Sequence, residues 1–167
     1  VWIYGKVMIK NKFNDQLEFS SQLRNSDFNQ RIVKIKKIKN WIYLNKAKIR
    51  SALSKDLSRP ELETNITEIL TTVDMANDII KNLKKWMAPK SVPSSLSVIT
   101  SKSYLEYYPK GTVLIISPWN FPFQLCIAPL LYSIAAGNTA IIKPSEMTPA
   151  TSKLVYEMIN ELFEQKE

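Results

Sequence analysis

The chain has 167 residues, 45% of them apolar and 23% charged, with a formal net charge of +8. That length allows one domain with a core of its own. The absence of histidine removes imidazole chemistry and most zinc sites, the single Cys126 excludes an internal disulfide, and three glycines (5, 111, 137) form neither a Gly-x-Gly-x-x-Gly loop nor a P-loop.

Charge is uneven along the chain: residues 1–90 hold 18 Lys/Arg against 9 Asp/Glu, and residues 91–167 hold 5 against 6. Val1 to Ile9 is short and lacks a small-residue cleavage site, so no secretory leader is expected. Residues 1–16 are expected to be a disordered extension, with Met8 as the natural start. Asn25 to Asp27 is a turn, with Asp27 as an N-cap. From Phe28 to Leu57, Ile35, Ile38, Ile42, Ile49, Leu53 and Leu57 fall at steps of three, four and seven. This spacing predicts an amphipathic helix, or two joined at Asn45. Arg31 to Arg50 carries eight basic residues and no acid. Such a stretch serves either as a solvated outer face or as a nucleic-acid or anionic-surface binding module. Only Trp41 and Tyr43 interleave it and no nucleic-acid signature is present, so the outer face is preferred.

Ser58-Arg59-Pro60 closes that segment. Leu62, Ile66, Ile69, Val73, Ala76, Ile80, Leu83 and Met87 then predict a second long helix, with Glu61 and Glu63 near its start and Lys81, Lys84 and Lys85 near its end. The helical block thus covers 27–88. Lys90 to Ser97 reads as a Pro/Ser-rich connection. An arm or hairpin is expected over 98–110, where Tyr104, Tyr107 and Tyr108 are ordinary strand residues.

Residues 111–164 form a βαβα pattern. Thr112 to Ile116 is a continuous apolar run, predicted to be a parallel strand buried on both faces. Ser117-Pro118 and Pro122 bracket a rigid turn carrying Trp119 and Asn120. Phe123 to Ala136 has no charge and predicts a buried helix ended by Gly137 and Asn138. Its prolines and the strand-like residues after Asn138 argue against a membrane span. Thr139 to Ile142 is a second strand, left through Lys143-Pro144-Ser145-Glu146. Thr148 as cap and Pro149 as first residue begin a last helix with Leu154, Met158, Ile159 and Leu162 on its apolar face. A right-handed strand–helix–strand unit brings both turns to the carboxyl edge of one sheet, where open α/β sheets bind ligands.

Pro118-Trp-Asn-Phe-Pro122, Ala135-Ala-Gly-Asn-Thr139 and Lys143-Pro-Ser-Glu146 together resemble the amino-terminal part of an aldehyde dehydrogenase, of the class 3 branch that takes fatty and aromatic aldehydes. The resemblance runs from about Phe19 to about Leu162. It implies an α/β fold in which amino-terminal helices precede the start of a Rossmann-like parallel sheet, so that 17–167 is a partial NAD(P)-binding domain. It implies oxidation of an aldehyde to a carboxylic acid, with NAD or NADP, through a cysteine thiohemiacetal. It also implies that the 98–110 arm makes subunit contacts, a homodimer, a cytoplasmic location and no nucleic-acid partner. Membrane anchoring by a later segment stays open.

By the same resemblance Asn120 is the oxyanion donor, and its neutral carboxamide suits that task. From the residues alone, Asn120 as a capping or turn residue is the simpler reading. The intact motif turns the choice to catalysis. Lys143 and Glu146 would hold the adenosine ribose hydroxyls, since a diol can donate to a carboxylate and accept from an ammonium. Ser145 belongs to the same cofactor-binding turn. Ile116, Ser117, Pro118 and Trp119 match positions that line the cofactor cleft. Phe121 stands where class 3 members often carry tyrosine. Cys126 is read as structural, because its apolar surroundings offer nothing to form a thiolate. The family's nucleophile, general-base glutamate and glycine-containing phosphate turn fall later than Glu167. The chain alone is therefore expected to be inactive and to fold poorly. A non-catalytic truncated remnant is the remaining alternative.

Overall fold

The structure, a computed structural model, describes residues 6–95, 97 and 100–167. Its elements run α1 (Lys6–Leu23), α2 (Phe28–Leu44), α3 (Lys46–Leu57), α4 (Glu61–Thr64), a π-helical segment (Asn65–Leu70), α5 (Thr71–Met87), β1 (Lys90–Val92), β2 (Ser103–Leu105), β3 (Thr112–Ile116), α6 (Gln124–Ala136), β4 (Thr139–Lys143) and α7 (Pro149–Leu162). Helices come first and a parallel strand pair follows, as the α/β expectation has it.

The helix α1 corrects the extension expected over 1–16. Residues from Lys6 onward are helical, and Gln16 is buried, donating from Nε2 to the Ala140 carbonyl at 3.1 Å. Val1 to Gly5 lie outside the described residues. Asp27 caps α2 through a capping box: its carboxylate accepts from Gln30 N (2.8 Å) and Gln30 Oε1 accepts from Asp27 N (2.9 Å). The break falls at Asn45. Ile35, Ile38, Ile42, Ile49 and Leu53 are all fully buried. Of the eight basic residues on this stretch, Arg31 is the one that is buried, while Lys36, Lys37 and Lys48 face solvent.

The second long helix departs from its expected face. Ile69, Val73, Ala76, Ile79 and Leu83 are buried, but Leu62 and Ile66 are exposed. The π-helical segment holds more residues per turn than an α-helix, so a face extrapolated at 3.6 residues per turn drifts across it. Thr64 and Glu68 occupy the inner positions instead.

Lys90 to Val92 is a strand, where the sequence reads as a connection. It pairs antiparallel with β2, Lys90 opposite Leu105 and Val92 opposite Ser103. Pro89 and Pro93 flank it, and prolines are tolerated at strand ends because they lack only a terminal donor. Within the expected arm, Val98 and Ile99 lie outside the described residues, and Tyr104, Tyr107 and Tyr108 are exposed.

β3 and β4 pair in parallel from Thr112 opposite Thr139 to Ile116 opposite Lys143. The ladder extends one bond at each end, from Thr139 N to the Gly111 carbonyl and from Ser117 N to the Lys143 carbonyl, both 3.0 Å. Pro118 and Pro144 follow at the two strand ends, and both strands leave the sheet there. The expectation of two covered faces is corrected here: Ile115 is buried, but Leu114 and Ile116 on the alternate face are 60% and 66% exposed. α1 covers only the start of that face, where Thr139 is fully buried and its hydroxyl donates to the Gln16 carbonyl at 3.5 Å. α6 packs on α2 and α5, α7 on α3, and α1 on both parallel strands. One hydrophobic cluster, from Ile32 to Met158, joins the helical block to the βαβα unit.

Candidate functional site

Both sequence-predicted turns leave the same edge of the parallel pair. The 3.0 Å bond from Ser117 N to the Lys143 carbonyl ties the first residue of one turn to the last strand residue before the other. Ser117 is buried, and its hydroxyl has no partner among the described residues. Ile116, Pro118, Trp119 and Asn120 are exposed. The edge thus presents an apolar strip (Ile116, Trp119) and a neutral amide within one stretch of five residues, with the Ser117 hydroxyl buried beneath.

Among the described residues, the Asn120 carboxamide makes no hydrogen bond within the protein, while its backbone carbonyl accepts from Arg59 Nη2 at 2.5 Å. The backbone is held and the donor is free. A capping role does not account for this: α6 begins at Gln124, its N-cap position is Phe123, and no side chain there caps it.

Across the edge, Lys143 Nζ donates to Glu146 Oε2 at 2.6 Å, and both side chains are about half exposed. The bond from Lys143 holds the Glu146 carboxyl below the usual carboxylate range. Ser145 is buried, and its hydroxyl accepts from Met147 N at 3.2 Å, which fixes the turn. An ammonium and a carboxylate on a stiff turn can grip two neighbouring hydroxyls of one ligand.

A groove of about 580 Å³ lies elsewhere, between α1, α2, β4 and α7. Of the residues in the two turns, only Pro144 reaches it. Cys126 is fully buried in α6, and burial pushes its thiol up to about 11. Such a thiol is protonated near neutral pH and is no nucleophile. Among the described residues no group of acidic, histidine or cysteine side chains is placed to hold a metal. No helix among them is long and apolar enough to cross a membrane.

Two residues at this site escape sequence reasoning. Arg59 pairs with the fully buried Glu68, and its Nε lies 3.2 Å from Glu63 Oε1. Its guanidinium sits 4.9 Å from the centre of the Phe121 ring. The other oxygen of Glu68 accepts from Gln124 N at 2.7 Å. Burial raises the Glu68 carboxyl, and the Gln124 N–H and Arg59 act against that rise. The available signal was a carboxylate next to Ile69 on the inward stripe, where an unpaired charge would be costly.

Comparison with known proteins gives these motifs a context. The family model described as "Aldehyde dehydrogenase family" matches residues 10–164. The 4,4'-diaponeurosporen-aldehyde dehydrogenase of Staphylococcus aureus is 41% identical over 157 residues, which are 94% of this chain and 34% of that protein. Aldehyde dehydrogenase family 3 member I1 of Arabidopsis thaliana is 40% identical over 141 residues, 84% of this chain and 26% of that one. The substrate-bound structure of Staphylococcus aureus AldH superimposes with a TM-score of 0.91 at 40% identity, over 95% of this chain and 34% of that one. The chain spans between about a quarter and a third of the length of these relatives. Its fold and sequence match that part of these relatives, and the chain belongs to the aldehyde dehydrogenase family.

Proposed function

We propose that the protein containing this chain oxidises an aldehyde to a carboxylic acid with NAD or NADP, and that Asn120 supplies the donor for the oxyanion. One observation carries this reading: the Asn120 backbone is tethered by Arg59 while its carboxamide is left free at the carboxyl end of β3. A carboxamide with no partner inside the protein is available to a nearby oxygen on which charge develops, and stabilises that charge without itself ionising. Cys126 is excluded as nucleophile by its burial, so these residues act on charge and position alone.

When bound, the nicotinamide cofactor accepts the hydride. The residues present fit such a group: Lys143 offers a donor and Glu146 an acceptor to the two hydroxyls of a ribose, with Ser145 fixing their turn. Ile116, Pro118 and Trp119 offer an exposed apolar wall, with Ser117 in the stretch of backbone that carries it. The reading carries a cytoplasmic homodimer. Exposed Val92, Tyr104 and Leu105 on the β1–β2 arm support the subunit contact, and sedimentation of the complete protein tests it. Loss of seven of the eight basic residues to exposed or half-exposed positions fits a solvated face rather than a nucleic-acid module.

The test is steady-state kinetics of the complete protein. Asn120→Ala is expected to lower kcat by about 10²- to 10³-fold with a small change in KM. A folded variant with unchanged kcat, where chemistry limits turnover, removes Asn120 from the reaction. Lys143→Ala and Glu146→Ala are each expected to weaken cofactor binding and leave aldehyde KM alone. Unaltered titrations with both NAD and NADP overturn their role.

A further inference from the structure

Residues 120–124 are the turn that carries Asn120, and its own holds are backbone bonds into α6, Leu125 N to the Phe121 carbonyl and Ile127 N to the Phe123 carbonyl, both 2.9 Å. The N-cap residue of α6 is Phe123, whose side chain cannot accept a bond. Yet the turn is gripped at three points from a different part of the fold. The guanidinium of Arg59 donates to the Asn120 carbonyl at 2.5 Å and lies 4.9 Å from the Phe121 ring centre. The carboxylate of Glu68, paired with that guanidinium, accepts from Gln124 N at 2.7 Å. Glu68 itself is fixed: it is fully buried in the π-helical segment, and its carbonyl accepts from the Thr72 hydroxyl at 2.5 Å. Arg59 follows Ser58, whose left-handed backbone (φ 50°) ends α3.

We infer that Arg59 and Glu68 are positioning residues that act through Asn120, clamping its turn between one carbonyl and the first N–H of α6. The inference rests on Asn120 being the oxyanion donor. Buried ion pairs contribute little net stability, because desolvation offsets much of their attraction. What this pair contributes is geometry. Arginine is suited to it, since one planar fork can serve a carboxylate, a carbonyl and an aromatic face at once, whereas a lysine ammonium cannot keep all three.

The experiment is a mutant cycle in the complete enzyme, with Arg59→Lys and Glu68→Gln each made in the wild-type and Asn120→Ala backgrounds. In the wild-type background each is expected to lower kcat by about 10-fold or more while cofactor affinity holds. In the Asn120→Ala background neither is expected to lower kcat further, because the residue they position is gone. A folded Arg59→Lys with unchanged kcat overturns the inference, as does an equal loss in both backgrounds. If one variant fails to fold, the other carries the cycle. Amide hydrogen exchange at Gln124 separates this inference from the role of Asn120. Glu68→Gln is expected to speed that exchange about 10- to 100-fold. If Asn120→Ala leaves kcat intact but Gln124 loses protection, the clamp holds a turn that is not catalytic and the action through Asn120 is wrong. If protection is unchanged, the clamp itself is wrong.

Discussion

The residues up to Met87 and those from Gly111 onward are built to different plans. The first set is basic and closed: its inner faces meet in a core where Ile35, Ile38, Ile42, Ile49 and Leu53 are fully buried. The second is near neutral and open, with Leu114, Ile116 and Trp119 facing outward. The contacts between them are more specific than scaffold against site. Three helix ends of the second set are held by charged side chains of the first. Glu68 accepts from Gln124 N at the start of α6, Arg31 donates to the Ala135 carbonyl at its end, and Asp56 accepts from Ala150 N and Thr151 N at the start of α7. Each sign complements the helix dipole it meets, carboxylates at amino ends and a guanidinium at the carboxyl end. Most lysines that make the first half basic have no part in this. A few placed charges do what the net charge does not.

The end of α6 is the place to break this arrangement most severely. Gly137 sits there at φ +85°, and a Cβ built on it lies 2.6 Å from Arg31 Nη2 and 3.1 Å from Pro109 Cγ. Arg31 cannot easily yield, since its Nε donates to Ser26 Oγ at 2.9 Å and its Nη1 to the Ala135 carbonyl at 3.0 Å. Gly137→Ala is expected to destabilise the protein by about 3 kcal/mol, combining left-handed strain with overpacking. In an Arg31→Ala background the added cost should fall toward about 1 kcal/mol, the strain alone. Denaturant unfolding of the four variants measures both costs. Equal costs in the two backgrounds dismiss the Arg31 contact as the cause.

A smaller effect sharpens the contrast in burial. Cys126 lies on the closed side of α6, and its thiol is raised to about 11 by burial. The unfolded chain therefore loses its thiol proton first as pH rises. Cys126 stabilises the fold fully below the ordinary thiol range near 9, and that stability is lost as pH climbs toward about 11. The expected loss is about 2 to 3 kcal/mol. Cys126→Ser should flatten the alkaline limb of the stability curve, and the native thiol should resist alkylation at pH 8. Rapid labelling of the folded protein would place Cys126 in an exposed environment instead.

Which features were legible follows from how local their causes are. The Asp27 cap, the break at Asn45 and the Gly137 terminus each depend on a few adjacent residues, and the structure has all of them. The strand-end turns were legible because prolines and short motifs mark them. Glu68 was not, because its partners are an arginine nine residues back and an amide 56 residues on, brought together across a π-helical segment that shifts the face. The exposure of Leu114 and Ile116 was not legible either. An apolar strand shows that something covers it, but not whether the covering residues belong to the same stretch of chain.

The smallest expected effect concerns the start of α7. Sequence reasoning makes Thr148 the cap, yet its side chain caps nothing; its hydroxyl donates to the Ser145 carbonyl at 3.4 Å. Asp56, from the end of α3, supplies the capping oxygens instead, at 3.0 Å to Ala150 N and 2.7 Å to Thr151 N. Two amides and a favourable dipole meet one half-buried carboxylate, so Asp56→Ala should cost about 1 kcal/mol. Thr148→Val, which keeps the shape and removes the hydroxyl, should cost less. Because Ser152 Oγ also donates to the Ser145 carbonyl at 2.7 Å, loosening α7 should reach the Lys143–Glu146 turn. Asp56→Ala should therefore weaken cofactor binding slightly while kcat at saturating cofactor stays the same. The outcome that would undo this account is a Thr148→Val variant less stable than Asp56→Ala, for the cap would then be local and the two halves less tightly joined at α7 than at α6.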